Sequence, residues 1–343
     1  MKRIWLYSVR GYIKLGLFFY YRSIRIKNAQ VIPKDKPVLF LANHQNALLD
    51  ALLIATNSKQ FSFFLTRAGV FKSSFVSKLL KSLQMLPVYR IRDGWNNLSN
   101  NTAIFDTCAD LLNKNEAVVI FPEGNHNLKR TVRPLSKGFT RIIFETFKKY
   151  PNTELLLIPV GLNFVKADKF PDDVSIFFGE PILAKDFISD DKNQDVLALK
   201  ARIQLELSKI TTHIPPDNYN VTLNKLIDIN VDFLKPKSVN KTISSNFQIN
   251  EKTKKNPFSV FRPFLKVILI MFLIGPYLIW KYIAQPKIKD IEFNSTFRFA
   301  IAITLVPIWI VLLTIILAFN LGWQIGLSFF ILLLVFALIT VKL

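Results

Sequence analysis

Short apolar runs alternate with longer amphipathic runs between Val38 and about Thr212. The short runs have strand length and predict strands near residues 38–42, 61–66, 86–90, 117–121, 155–164 and 174–178. The longer runs have helical periodicity and predict helices near residues 46–56, 74–83, 96–113, 137–149 and 193–210. Strands that alternate with helices indicate an α/β domain with a mostly parallel sheet flanked by helices.

The pattern changes on both sides of this domain, which we place at residues 31–213. Residues 1–30 combine apolar, aromatic and basic positions and predict an amphipathic helix that lies in the lipid headgroup zone or packs on other helices. A plain core helix fits the same pattern. Residues 214–256 are rich in Asn, Ser and Lys, which is typical of a polar basic linker, with one possible short helix near residues 223–234.

Residues 257–343 contain three long apolar segments, at about 264–283, 299–319 and 321–341. Each is close to the ~20 residues that a helix needs to cross a bilayer. The sequence therefore predicts an integral membrane protein, with the basic α/β domain on the cytoplasmic face of the cell membrane.

The number of spans depends on the first of these segments. The loop after it carries Lys287, Lys289 and Arg298, whereas the link between the other two is uncharged. Basic residues favour the cytoplasmic side, so this distribution predicts a re-entrant or interfacial first segment followed by a hairpin. The pair Gly275-Pro276 fits a break, because proline removes a helical hydrogen bond. Three ordinary spans are the alternative.

Composition indicates which classes of molecule the protein could bind. Half of the residues are hydrophobic and the formal net charge is +21, which favours anionic partners and, in a membrane protein, anionic lipid. No nucleic-acid-binding motif is present, and no cluster has convincing metal-ligand spacing. Cys108 is the only cysteine and lies in an apolar helical pattern, so we expect a core residue and a reducing compartment.

The first candidate for chemistry follows the first predicted strand. Asn43 and His44 end that strand, and Asp50 lies on the first turn of the next helix. Asn43 is a candidate for binding substrate. A histidine held at a strand end, with a carboxylate close enough to fix its tautomer, suits a general base. The alternative is a polar turn in which Asp50 interacts with the helix dipole.

Two basic residues follow the second strand. Arg67 and Lys72 lie five residues apart, with Gly69 between them, and could bind a phosphate. Basic loops without such a role are common.

The strand before Phe121 also ends in polar residues. Glu123 and Gly124 follow a proline and precede His126, Arg130 and Arg133. His126 is a candidate for lining the substrate site. The glutamate could accept a hydrogen bond from a substrate hydroxyl or clamp the basic loop, and a solvated turn is the plainer alternative. Pro159 lies inside a further apolar run and predicts an edge strand or a bulge there.

In their order, these motifs resemble those of the glycerolipid acyltransferases, the glycerol-3-phosphate and lysophosphatidic acid acyltransferase family. The motifs are Asn-His then Asp, a basic block ending in Phe-Lys, Phe-Pro-Glu-Gly, Ile-Pro-Val-Gly and Phe-Gly-Glu-Pro-Ile, over roughly residues 35–185. The resemblance implies that His44 is the base and Asp50 its partner. It further implies that Arg67 and Lys72 bind the acceptor phosphate and that Glu123 and Gly124 bind the acceptor.

This sequence departs from the family pattern in two places. Five residues separate His44 from Asp50, where the family has four. On a regular helix one more residue rotates the carboxylate by about 100°, whereas an extra residue in the turn would let Asp50 reach. The family has Thr-Arg-Ser after Phe-Pro-Glu-Gly, and here Asn125-His126-Asn127 stands in its place. Arg130 or Arg133 could replace the missing arginine, and the acceptor identity is left open.

The activity that the resemblance implies is transfer of a fatty acyl group to a glycerol hydroxyl, without a cofactor. The donor is acyl-CoA or acyl carrier protein, and the leading acceptor is 1-acylglycerol-3-phosphate, which would yield phosphatidic acid. Glycerol-3-phosphate or dihydroxyacetone phosphate, acylated at the sn-1 position, and a lipid without phosphate are alternative acceptors. A non-catalytic protein that binds anionic membranes is a remote alternative.

Overall fold

The computed structural model describes residues 2–89, 101–248 and 257–343. The strands are β1 Tyr21–Lys27, β2 Val38–Ala42, β3 Ser62–Arg67, β4 Met85–Val88, β5 Ala117–Ile120, β6 Leu156–Phe164, β7 Asp172–Phe178 and β8 Ile182–Leu183. The helices are α1 Lys2–Tyr20, α2 Ala47–Asn57, α3 Ser74–Ser82, α4 Asn101–Asn113, α5 Gly138–Lys149, α6 Lys192–Ile210, α7 Tyr219–Asp228, α8 Pro236–Ser244, α9 Arg262–Phe272, α10 Ile274–Leu278, α11 Asn294–Leu321 and α12 Trp323–Lys342.

The strands form one sheet in the order β1-β7-β6-β2-β5-β3-β4, and β8 pairs with β6. The five strands from β6 to β4 are parallel to one another. β7 and β8 run antiparallel to β6, and β1 runs parallel to β7. The predicted fold class, a mostly parallel sheet flanked by helices, is therefore confirmed.

The sheet separates two apolar cores. Val38, Phe40 and Ala42 of β2 face one core, together with side chains of α1, α2 and the first turns of α11. Leu39 and Leu41 face the other core, together with side chains of α4, α5 and α6. This alternation follows from the two-residue period of a strand. Because both faces are covered, β2 is apolar along its whole length.

The predicted strands and helices of the α/β domain are present, with boundaries that move by a few residues. The predicted helix 96–113 is described from Asn101 onward, and its first residues lie outside the described part of the chain. β1 was missed because Arg22, Arg25 and Lys27 interrupt any apolar pattern in this strand at the sheet edge.

The prediction that Pro159 marks an edge strand or bulge is wrong. β6 pairs with β2 on one side and with β7 and β8 on the other. The residue pairs with β8 end at Leu157 and those with β7 begin at Val160, so Pro159 lies where the partner changes. Its carbonyl accepts a hydrogen bond from the Gly179 N–H, and its missing N–H faces the same gap.

The prediction of a polar linker at residues 214–256, with one short helix, also needs correction. α7 and α8 both form in this segment, and apolar residues on and around them make a separate small core: Ile214, Leu226, Val231, Phe233 and Val239. Ser175 on β7 donates a hydrogen bond to the Leu234 carbonyl and joins this core to the sheet. The composition is polar because only one side of each helix is buried. The basic run at 251–256 lies outside the described residues.

The C-terminal segments agree with a broken first segment and a hairpin. Two helices of the described chain, Ile291–Leu321 and Trp323–Lys342, are long and apolar enough to cross a membrane. The preceding pair, Arg262–Phe272 and Ile274–Lys287, is bent by 102° and would make up to three spans if it were one. α11 and α12 meet at Gly322, whose φ of +97° favours glycine.

We predict that Gly161→Ala destabilises the protein, whereas Gly11→Ala does not. A Cβ at Gly161 would lie 2.3 Å from the Ile210 carbonyl oxygen, so α6 would have to move away from β6. Overpacking of this kind costs about 1–3 kcal/mol. Gly11 on α1 has open space around it, and alanine there favours the helix by roughly 0.5–1 kcal/mol. Thermal unfolding in detergent measures both, and equal melting temperatures would contradict the close packing at Gly161.

Candidate active site

The polar strand ends singled out in the sequence lie along one edge of the sheet. β2, β5 and β3 are neighbouring parallel strands, so their carboxyl ends point the same way. His44 follows β2, Glu123 follows β5 and Arg67 ends β3. In open parallel sheets this edge is where ligands bind.

His44 and Asp50 form a hydrogen-bonded pair. The Nδ1 atom of His44 lies 2.8 Å from Oδ2 of Asp50. The Asp50 carboxylate is fully buried, whereas 16% of the His44 side chain is exposed. An acid on Nδ1 favours the tautomer that carries its proton there, which leaves Nε2 unprotonated and able to accept a proton.

The same carboxylate oxygen orders the whole turn. Oδ2 of Asp50 also accepts hydrogen bonds from the backbone N–H groups of Gln45 and Asn46, at 2.8 and 2.7 Å. These two N–H groups are thereby excluded as donors to a reaction oxyanion. The additional residue between His44 and Asp50 is taken up before the helix becomes regular, where Ala47 has a φ of +43°. This left-handed conformation costs an alanine roughly 1–2 kcal/mol.

Two aromatic rings contact His44, and a third contacts one of those two. Phe121 stacks on the imidazole with a centroid distance of 4.0 Å and an interplanar angle of 17°. His126 meets His44 edge to face at 5.6 Å, and Phe293 meets His126 at 4.7 Å. Burial and then the nearby His44 lower the pKa of His126, against the opposing effects of Glu292 and Asp290. The loop before α11 thus forms part of the surroundings of His44.

Glu123 clamps its own loop. Arg133 Nε donates to Oε2 of Glu123 at 2.7 Å, and Nη2 donates to the same oxygen and to the Asn125 carbonyl. The remaining nitrogen, Nη1, donates to the Asn125 side-chain oxygen. Only 3% of the Glu123 side chain is exposed. Burial raises the pKa of Glu123, and Arg133 opposes this shift. Of the two roles considered for Glu123, this geometry favours the clamp, and it leaves Arg133 little capacity for a phosphate. Gly124 has a φ of +76°, which favours glycine at this turn.

Two predicted substrate-binding residues have structural partners instead. Arg130 donates to the carbonyls of Phe164 and Val165, both at 2.7 Å, and its guanidinium stacks on Phe233 at 3.8 Å. Burial lowers its pKa to about 10. Asn43 is buried, and its side-chain amide exchanges two hydrogen bonds with the backbone of Leu162. The hydrogen-bonding groups of Arg130 and Asn43 thus hold the backbone of β6 and its C-terminal end. Roles for these two residues in binding substrate stay predictions.

The segment after α6 holds the loop that carries Glu123. The Val132 N–H donates to Nδ1 of His213 at 3.0 Å, and the Arg130 N–H donates to the Tyr219 hydroxyl at 2.9 Å. The Asn127 N–H donates to the His44 carbonyl at 3.0 Å and joins the loop to the histidine turn. Burial lowers the pKa of His213, which favours its neutral, accepting form.

Arg67 and Lys72 are both exposed, at and beyond the end of β3. Arg67 ends the strand, and Lys72 precedes α3 after a short helical turn at Ala68–Val70. Arg67 thus lies at the end of a strand that is separated from β6 by β2 and β5. Within the described ranges, no group of three or more His, Cys, Asp or Glu residues could hold a metal ion.

Sequence reasoning missed Phe121 and Phe293 as neighbours of the histidines. Phe121 ends an apolar run and resembled an ordinary core residue. Phe293 belongs to a loop far along the chain, and no local pattern links it to His126.

Residues 23–163 match the family model described as Acyltransferase. This segment is similar to an acyltransferase domain. It contains His44, Asp50, Arg67 and Glu123, so the motif resemblance is confirmed at the level of the family.

The acyltransferase domain is similar to named proteins at low identity. A match to "Glycerol-3-phosphate O-acyltransferase 2" of Saccharomyces cerevisiae is 25% identical over 120 residues and covers 34% of this chain and 16% of that protein. A match to "Probable 1-acyl-sn-glycerol-3-phosphate acyltransferase" of Mycoplasma pneumoniae is 25% identical over 143 residues and covers 40% of this chain and 51% of that protein. The chain thus spans between about a sixth and a half of these two relatives.

One solved structure is also similar, that of the 1-acyl-sn-glycerophosphate (LPA) acyltransferase PlsC from Thermotoga maritima. The TM-score is 0.43 at 19% identity, and the match covers 60% of this chain and 81% of that one.

We predict that Phe293→Ala raises the pKa of His126, whereas Glu292→Gln lowers it. Removing the ring exposes the imidazole and relieves the burial that lowers its pKa, and removing the carboxylate takes away a charge that raises it. Because the chain has three histidines, NMR titration of the histidine ring protons can follow each one. His213, held by Val132, serves as the internal reference. An unchanged His126 titration in Phe293→Ala would contradict the contact.

Proposed function

We propose that this chain is a membrane-bound O-acyltransferase of glycerolipid synthesis. It transfers a fatty acyl group from a thioester, acyl-CoA or acyl carrier protein, to a hydroxyl group of a glycerol phosphate. The observation that carries the proposal is the His44–Asp50 pair, with Nδ1 bound to a buried carboxylate, inside an acyltransferase domain.

In the proposed mechanism His44 acts as the general base. Its Nε2 takes the proton of the acceptor hydroxyl as the oxygen attacks the thioester carbonyl. The tetrahedral intermediate collapses, the carbon–sulfur bond breaks, and the imidazolium returns its proton to the leaving thiolate. Asp50 holds the imidazole ring and stabilises its charged form, because Asp50 and His44 stay hydrogen-bonded to each other throughout the reaction. No acyl-enzyme is needed, and Cys108 is buried in α4 with its pKa raised to about 12.

The leading acceptor is 1-acylglycerol-3-phosphate, with phosphatidic acid as the product. Arg67 and Lys72 are the proposed phosphate ligands, because Arg130 is committed to backbone carbonyls and Arg133 to Glu123 and Asn125. The second candidate acceptor is glycerol-3-phosphate. Two observations favour it: the name of the yeast relative, and the sequence Asn125-His126-Asn127 after Phe-Pro-Glu-Gly.

The proposed location of the acyltransferase domain is the cytoplasmic face of a membrane. α11 and α12 supply the hydrophobic length. The basic residues lie mostly in the part of the chain that precedes them, and positive charge favours the cytoplasmic side.

The decisive test is acyl transfer by the purified full chain in detergent. 1-Acylglycerol-3-phosphate and glycerol-3-phosphate are offered side by side with labelled acyl-CoA or acyl carrier protein. We expect His44→Ala to lower kcat by about 10²–10⁴, the usual contribution of a positioned base. Asp50→Asn should lower kcat as well, because the neutral amide no longer stabilises the imidazolium. Cys108→Ala is the matched control and should retain activity.

Activity that survives His44→Ala would remove the proposed base. If the wild type acylates neither phosphate acceptor but acylates a phosphate-free lipid, the phosphate ligands proposed here are wrong. If the wild type acylates no acceptor, the result favours the alternative of a non-catalytic protein that binds anionic membranes.

A second prediction separates phosphate binding from general charge. We expect Arg67→Gln and Lys72→Gln to raise KM for the phosphate acceptor several-fold or more while kcat changes less. Lys59→Gln removes an exposed cation of the same segment at the opposite, amino end of β3, and should leave KM unchanged. Steady-state kinetics at constant ionic strength measures all three. Equal changes in KM for the three variants would indicate a nonspecific charge effect.

A further inference from the structure

α3 is unusual among the helices flanking the sheet because none of its residues is buried. Phe75 is 76% exposed, and Val76 and Leu79 are exposed as well. Val70, in the turn that precedes the helix, is also exposed. Val76 and Leu79 are 37% and 39% exposed, so Phe75 projects furthest from the protein. Solvent-exposed helices normally keep their apolar residues against the core.

The exposed apolar residues of α3 lie on one side. At about 100° per residue, Phe75, Val76 and Leu79 fall within about a third of a turn, and Ser74, Lys78 and Lys81 fall on the other side. We call Phe75, Val76 and Leu79 the α3 apolar face. The helix is therefore amphipathic, with its apolar side turned outward and cations beside it.

The sequence segment that contains α3 carries charge of a single sign. Between Asp50 and Asp93 the sequence contains no acidic residue, while Lys59, Arg67, Lys72, Lys78 and Lys81 all lie within this stretch. An apolar face on a segment whose own charges are all positive suits a surface that is apolar inside and negatively charged at its rim. An anionic bilayer has this arrangement.

The position of α3 connects it to the membrane region. The Trp5 indole N–H on α1 donates to the Ser82 hydroxyl at the end of α3, at 3.2 Å. α1 in turn packs on α11: a Cβ on Gly16 would lie 2.5 Å from the Ile303 side chain, and the Tyr12 hydroxyl donates to the Ile303 carbonyl. These contacts connect α3 through α1 to α11, a helix long enough to cross the bilayer.

α1 extends the same surface. Its outward side exposes Ile4, Tyr7, Tyr12, Leu15 and Phe18. The first acidic residue of the whole sequence is Asp35, so α1 contributes cations and no anions. Aromatic residues mixed with cations are typical of helices that lie in the headgroup zone.

We propose that α3 lies in the plane of the bilayer and inserts the α3 apolar face among anionic lipids beside α1. This goes beyond the proposed activity, because it is a statement about membrane contact. It also gives Arg67 and Lys72 a defined setting, since Lys72 directly precedes the Ser73 cap of α3 and so lies at headgroup depth. A lipid phosphate could then reach these cations from within the membrane.

The test places single cysteines on two sides of α3 in the full chain. Phe75→Cys and Leu79→Cys lie on the α3 apolar face, and Ser74→Cys on the other side is the matched control. Cys108 is buried and should stay unlabelled, which the wild type checks. Each thiol receives an environment-sensitive fluorophore, and the protein is reconstituted into phosphatidylcholine vesicles with or without phosphatidylglycerol. Some vesicles contain lipids with a nitroxide quencher on the acyl chain.

We expect the labels at positions 75 and 79 to emit at shorter wavelength and to be quenched several-fold more than the label at 74. Lys78→Gln and Lys81→Gln, added to Phe75→Cys, should lower the docking equilibrium by about fivefold each, as the ~1 kcal/mol per surface cation implies. This loss should occur in vesicles with phosphatidylglycerol and be small without it.

Two results would overturn the proposal. Equal, water-like emission at positions 74 and 75 would mean that the α3 apolar face stays in solvent. The second is a shifted emission at position 75 that lipid nitroxides do not quench. If that shift also persists in detergent and copies of the protein cross-link, a second copy covers the face. Neither readout requires catalysis, so these results are independent of the acyl-transfer assay.

Discussion

One oxygen atom of Asp50 holds the candidate active site together. It accepts hydrogen bonds from the His44 ring and from two consecutive backbone N–H groups. A fully buried carboxylate is costly unless such partners replace water. The three donors meet that requirement for Oδ2, whereas Oδ1 is buried without a hydrogen-bond partner in the described part of the chain. The same three hydrogen bonds determine the shape of the turn, the ring orientation and the tautomer. The strained backbone at Ala47 is tolerated because this network over-determines the turn.

The turn is also tied to the membrane region through a single carbonyl. The Ala167 oxygen, in the loop between β6 and β7, accepts from the Asn46 side-chain amide at 2.9 Å and from the Ser295 hydroxyl at 2.6 Å. Arg298 donates to the next carbonyl, that of Asp168. Together with Phe293 near His126, these contacts make the start of α11 part of the site rather than a separate anchor.

The sequence predicted what depends on local pattern and missed what depends on distant contacts. Short-range periodicity predicted the alternation of strands and helices along the chain and the polar residues at the strand ends. Motif order predicted the His44–Asp50 pair. The extra residue before Asp50 left two geometries open, and only three-dimensional coordinates show that the turn absorbs it. Arg130 resembled a phosphate ligand because sequence carries no information on the carbonyls of Phe164 and Val165. The possible short helix near residues 223–234 overlaps α7, whereas α8 has no counterpart among the predicted elements because it buries only a narrow apolar stripe.

The packing of α11 against the sheet has a consequence for how the chain reaches its native state. Phe299 belongs to the same core as Phe40, Leu49 and Tyr20, so one side of the sheet is completed only by residues near the end of the chain. During synthesis the α/β domain would emerge with this side uncovered until the C-terminal hairpin is made. Maturation of the domain is therefore coupled to insertion of the hairpin, and a fragment that ends before α11 would expose an apolar surface that favours aggregation.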